Sequence, residues 1–197
     1  MWRLFAAIAA LCVVLLLWPD ALIALRGQRG ALADGQPWRM LSAHFVHFGA
    51  LHAPANLTGM VLVIEWLGAP VRPVEAAWVM LCSAIAITGG LALFSPAVSW
   101  YVGLSGVVHG LWAGFALLGW SRQRPESRLQ RIRLPAAALG LLALKLAMPP
   151  LPWLASSSGL PVVPQSHGYG ALGGSIAALA LMAHSARAAM TRKSGLE

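Results

Sequence analysis

The stretch GLSGVVHGLWAGFALLGW, residues 103–120, begins with three glycines, a serine and a histidine in eight positions and continues as an almost unbroken apolar run. Residues 104–120 carry no charge and approach the roughly 20 apolar residues, at 1.5 Å rise each, that cross a bilayer as a helix. Polar groups are costly inside hydrocarbon, so Ser105 and His109 need a reason to be there. They are four apart and share one face of a helix. Gly106, Gly110 and Gly114 recur at the same interval beside them, a pattern that lets a second helix approach backbone to backbone. Ser105 is therefore either a small packing residue or a nucleophile.

Five further apolar stretches lie outward from this one, at about 4–25, 50–68, 74–94, 134–148 and 165–186, the fifth span (134–148) being the shortest. The 197 residues are 58% hydrophobic and only 10% charged, with mean hydropathy +0.71, well outside the range of soluble domains. The pattern predicts an all-α membrane protein, a six-transmembrane-helix bundle forming a single domain over residues 1–197. The first stretch, LFAAIAALCVVLLLW, reads as a retained span, because only Arg3 precedes it and no small-x-small cleavage site follows at once.

A net charge of +8 would suggest nucleic acid in a soluble protein. Here the positions of the charges account for it. With the N-terminus inside, Arg3, Arg72, Arg122, Arg124, Arg128, Arg131, Arg133, Arg187, Arg192 and Lys193 fall on the cytoplasmic side. Only Arg26, Arg29 and Arg39 fall outside. The positive-inside rule then puts both termini in the cytoplasm and excludes nucleic acid as a partner, leaving membrane lipids. Trp18, Trp66, Trp78 and Trp120 sit near predicted span ends, where indoles prefer the interface. Cys12 and Cys82 lie within spans and read as packing residues.

The loops differ in character. Residues 26–49 form the longest outer connection and are expected to dip into the interface. SRQRPESRLQRIR, residues 121–133, is a basic cytoplasmic segment suited to topology and headgroup contact. MPPLPWLASSSGLPVVPQ, residues 148–165, is uncharged, rich in Pro, Ser and Gly, and precedes a histidine, as a lid would.

Five polar residues stand out: His52, Asn56, Ser105, His109 and His167. His52 and Asn56 are four apart on one face of the second span. On the predicted topology His52, Asn56, Ser105 and His167 lie near the outer ends of spans two, four and six, at one depth. Gly170 and Gly174 follow His167 with the four-residue interval of the Gly106 ridge, so facing ridges would bring Ser105 to His167. A serine hydroxyl needs a base, and a neutral imidazole is the usual one. An oxyanion needs donors, which Asn56, His52 and the free amides of the first turn after Gly103 can supply. Gly103 and Gly106 would let a carbonyl come close. His44 and His47 precede His52, but no HExxH motif or neighbouring carboxylate accompanies them, so no metal and no cofactor is expected. Glu65, Lys145 and His184 lie near span ends and read as groups reaching the interface.

With those residues in place, the chain resembles the rhomboid intramembrane serine proteases. HFGALHAPAN (47–56), GLSG (103–106) and HGYGALGG (167–174) are similar to that family's His-x-x-x-Asn, Gly-x-Ser-Gly and final-helix His with following small residues. The resemblance implies Ser105 as nucleophile, His167 as general base, and His52 and Asn56 as oxyanion donors, a dyad without a third acid. Many rhomboids have an aromatic residue four positions after the serine, where this chain has His109. In that respect GLSGVVHG resembles the rhombosortase branch, small bacterial rhomboids associated with proteins carrying a Gly-Gly C-terminal sorting segment. Such partners have a Gly-rich motif, one hydrophobic span and a basic tail. The resemblance implies an inner-membrane protein with its active site facing outward. His109 could stack on His167, tune it, or only pack. Rival readings are a general rhomboid cutting other transmembrane substrates, a catalytically dead scaffold, and a small transporter, whose repeats or broken helices are not seen.

Overall fold

The computed structural model describes residues 1–31, 33–49, 51–122, 128–148 and 163–194. Helix α1 (Trp2–Leu17) stops where Trp18 turns extended ahead of Pro19, as the residue before a proline tends to. The first apolar stretch is therefore divided, its remainder forming the single-turn α2 (Ala21–Leu25). Strand β1 (Gly27–Gln28) and α3 (Arg39–Ser42) follow, then α4 (His52–Leu67) and α5 (Pro73–Phe94). Strand β2 (Trp100–Tyr101) precedes α6 (Ser105–Arg122), α7 (Arg128–Ala147) and α8 (Pro164–Ser194).

Among the described residues, six helices have 16 or more residues: α1, α4, α5, α6, α7 and α8. Of these, Pro73–Phe94 is the one both long and apolar enough to cross a membrane by itself, with Trp2–Leu17 and Leu134–Ala147 apolar but shorter. The reason lies in composition. Helices α4, α6 and α8 carry the glycines, histidines and serines that lower hydropathy, and α8 continues past its apolar part into Arg187 and Arg192. Trp18, Trp66, Trp78 and Trp120 are all substantially exposed.

Helix α6 is the centre of the bundle. It packs on α4, α5, α7 and α8, and its Leu111, Phe115 and Leu118 have no exposed surface, as expected of a helix apolar on all sides. The tightest contact is with α8. A methyl group added at Gly170 would overlap the carbonyl of Gly106, and one at Gly174 the carbonyl of Gly110, so the two glycine ridges face each other without side chains between them.

Two polar fastenings hold the helix ends. Arg29 donates to the carbonyls of Leu91 (2.8 Å), Ala92 (2.8 Å) and Ser95 (2.6 Å), satisfying the open carbonyls at the end of α5. At the other end of α5, Glu75 is 2% exposed and accepts from Arg122 at 2.6 and 3.0 Å and from the Arg72 guanidinium at 2.7 Å. Its carboxylate also accepts from the Arg72 amide at 3.0 Å, closing a capping box.

The segment between α2 and α4 is folded rather than a loose connection. β1 and β2 pair antiparallel, Gly27 opposite Tyr101 and Gln28 opposite Trp100. The suggested lid is almost wholly outside the described residues, since 149–162 are not among them. Of the basic 121–133 segment, residues 123–127 are likewise outside them.

Candidate active site

The loop that delivers Ser105 is fixed on both sides. Before it, the short β pairing anchors Trp100 and Tyr101, and the buried Tyr101 hydroxyl lies 2.6 Å from Nε2 of buried His44. Burial holds His44 down to about 4, so its ring is neutral at physiological pH. The Gly103 amide donates to the carbonyl of Ala43 at 2.9 Å. Gly103 has φ +110°, a conformation other residues adopt only under strain. That turn ends at Leu104, whose carbonyl accepts the first bond of α6, from Val108. The amides of Ser105, Gly106 and Val107 thus precede the helical ladder.

Ser105 Oγ lies 3.1 Å from His167 Nε2, across the α6–α8 contact made by the facing glycines. Ser105 and His167 are both half-buried. Beneath them, His109 stacks on His167 with ring centroids 4.2 Å apart and planes 8° from parallel. His109 Nδ1–H donates to the Ser105 carbonyl at 2.7 Å, which fixes its tautomer and the angle of the ring. The imidazole of His167 is therefore held on one edge by the serine and on one face by a second imidazole.

His52 and Asn56 begin α4 and point toward the same turn. A Cβ on Gly103 would lie 3.0 Å from His52 Nε2 and 3.6 Å from Asn56 Nδ2, so both nitrogens converge in front of the GLSG loop. Asn56 Nδ2 is buried and has no hydrogen-bond partner among the described residues; His52 Nδ1 and His109 Nε2 are in the same state. Buried donors and acceptors in native proteins are seldom left unpaired. Three of them within one small site mark a place where a further molecule, water or substrate, is accommodated.

His47 also belongs to this region. Its Nδ1–H donates to the Phe45 carbonyl at 3.2 Å, and its ring meets His52 edge to face at 5.1 Å. Burial, followed by the adjacent His52, pushes His47 down to about 4. Among the described residues no three His, Cys, Asp or Glu side chains gather as a metal set.

A cavity of about 470 Å³ opens beside Ser105, between α4, α6 and α7. Asn56, Ser105 and His109 line one end, Leu62, Trp66 and Leu141 are among the apolar residues further along, and Lys145 is part of the lining as well. The sequence placed Lys145 at the interface; its relation to the serine came only with the packing of α7. Glu75 was missed altogether, although Arg72-Pro-Val-Glu75 is a legible helix-start pattern.

The arrangement can deprotonate a serine, hold an imidazole in register, present amide and imidazole nitrogens to a nearby oxygen, and receive an apolar chain alongside. A family model for the rhomboid domain matches residues 34–184. No curated protein matches the chain.

Proposed function

The chain belongs to the rhomboid family of intramembrane serine proteases, and we propose that it cuts proteins beside a C-terminal transmembrane sorting segment of the Gly-Gly type by a Ser105–His167 dyad. The observation that carries the chemistry is the 3.1 Å approach of Ser105 Oγ to His167 Nε2. His167 takes the hydroxyl proton as Ser105 attacks the scissile carbonyl. The developing oxyanion faces the Asn56 amide, the His52 imidazole and the Ser105 backbone N–H. His167 then passes the proton to the leaving amine, and water resolves the acyl-enzyme by the same route. His109 keeps His167 in place by stacking, the part an aromatic side chain plays in many relatives.

Residues 1–197 act on this proposal as one domain with six spanning helices, α1, α4, α5, α6, α7 and α8. Both termini are cytoplasmic and Ser105 is near the outer side of the bacterial inner membrane. The charge distribution of the sequence supports that orientation. The cavity between α4 and α7 supports entry of an apolar segment from the side, next to the serine. The expected partners are lipids and single-span proteins with a C-terminal hydrophobic segment.

The test uses the purified protein in vesicles with two substrates, one bearing a Gly-Gly motif, a hydrophobic span and a basic tail, the other an unrelated single span. The first should be cut and the second cut much more slowly. Equal cleavage would leave a general rhomboid protease, and cleavage of neither a scaffold.

A further inference from the structure

Lys145 stands on the cavity stripe of α7. Leu134, Ala137, Ala138, Leu141 and Lys145 all line the cavity, at helical spacings of three and four. Among the described residues Lys145 is the one charged side chain in that lining, which it shares with Ser105, Asn56 and His109. No ion pair or hydrogen bond joins it to another described residue; the ion pairs among those residues are both made by Glu75. A lysine that only reached for headgroups would be as well served on any other face of α7. On this face its ammonium stands at the serine end of an apolar channel, with no counter-ion among the described residues.

We infer that Lys145 is a specificity-determining residue that receives a carboxylate, an Asp or Glu side chain of the substrate close to the scissile bond. The inference rests on the protease reading and names a feature of the substrate. An attraction across partly apolar surroundings is less screened than one in water. A cation there also repels a basic residue at the same position, so it sorts substrates by exclusion as well as by attraction. Lys145 is exposed as well as part of the lining, so a long stem beside apolar residues can carry its head to the mouth.

The experiment uses the full-length protein in phosphatidylcholine vesicles, with and without phosphatidylglycerol. The substrates are sorting segments identical except for Asp, Asn or Lys at each position flanking the cut. At one position wild type should cleave the Asp form roughly tenfold faster than the Asn form, with the Lys form slowest. Lys145→Arg should keep that order and Lys145→Glu should reverse it. An order that is flat in wild type, or unchanged in Lys145→Glu, overturns the inference while leaving the protease reading intact. So does a preference that appears only with phosphatidylglycerol and survives Lys145→Glu, which would assign the ammonium to lipid phosphate. If no substrate is cleaved by any variant, the protease reading falls and the inference with it.

Discussion

At its last turn α6 presents Arg122 to Glu75, and both carboxylate oxygens there are engaged by Arg122 and Arg72. At its first turn the same helix presents Ser105 and His109 to a group in which His52 Nδ1, Asn56 Nδ2 and His109 Nε2 are buried without a partner among the described residues. Burying a polar group costs free energy unless it is hydrogen-bonded, and leaving one unpaired costs about 1 to 3 kcal/mol. One end of the helix meets that cost with ion pairs and hydrogen bonds inside the protein; the other needs water or substrate to meet it. On the proposed mechanism the difference separates a fastening from a workplace: the satisfied cluster holds helices together, and the other keeps groups free for an incoming carbonyl.

The comparison breaks most readily at the fastening. Glu75→Ala leaves the Arg122 guanidinium, itself 23% exposed, without its carboxylate; water reaches that remaining charge, so the loss falls at or below the low end of the about 3 to 5 kcal/mol seen when a fully buried pair loses one partner. Thermal unfolding in detergent should show that loss, while the rate per folded molecule stays near wild type. A stable variant with a reduced rate would mean that the two ends are coupled.

Asn56→Ala should do the opposite. Its amide makes no hydrogen bond to another described residue, so stability should hold, while the proposed oxyanion role predicts a rate loss of roughly 10²- to 10³-fold. If the unfolding midpoint falls with little change in rate, the amide is a structural group and the contrast between the ends disappears.

The His109–His167 stack gives a smaller effect. A ring face is worth about 0.5 to 1.5 kcal/mol, so His109→Tyr should remain within roughly tenfold of wild type and His109→Ala should fall below it. Complete loss of activity in both variants, with the fold retained, would assign His109 to proton transfer.

The smallest effect concerns His44, which supports the loop without entering the site. Its pKa is lowered to about 4 by burial, against an ordinary value of 6.5. Between those values the unfolded chain binds more protons, so stability is complete above about pH 6.5 and declines as pH falls toward 4. From pH 7.5 to 6 the loss from this one group is roughly 0.8 kcal/mol. His44→Gln should remove that part of the slope in unfolding measured against pH; an unchanged slope would mean that His44 takes up its proton equally in the folded and the unfolded chain.

Much of this site could be read in the chain because helical periodicity is local. His52 and Asn56, Ser105 and His109, and the two glycine ridges each depend on an interval of four, and that interval is visible without knowing the fold. The features that could not be read depend on chain segments meeting from afar. Arg29 finds carbonyls more than 60 residues away, Arg122 finds Glu75 at a separation of 47, and β1 and β2 are two residues each, too short to show alternation. The break after α1 was within reach, since Pro19 marks it. The stack of His109 on His167 was one of three readings that spacing left open, because which way a ring faces is decided by the neighbouring helix. Lys145 differs again: its chemistry was visible, but a lysine near a span end reads the same whether it faces lipid or the serine.

The central claim is that Ser105 is a nucleophile made reactive by His167. Its most direct test is covalent labelling of the full-length protein with a serine-reactive fluorophosphonate, followed by intact mass and peptide mapping. The account predicts one adduct, on Ser105, which forms in wild type and is lost in His167→Ala while the unfolding free energy of that variant stays within about 1 kcal/mol of wild type. An adduct on another serine, or labelling of Ser105 at an undiminished rate in His167→Ala, would contradict it.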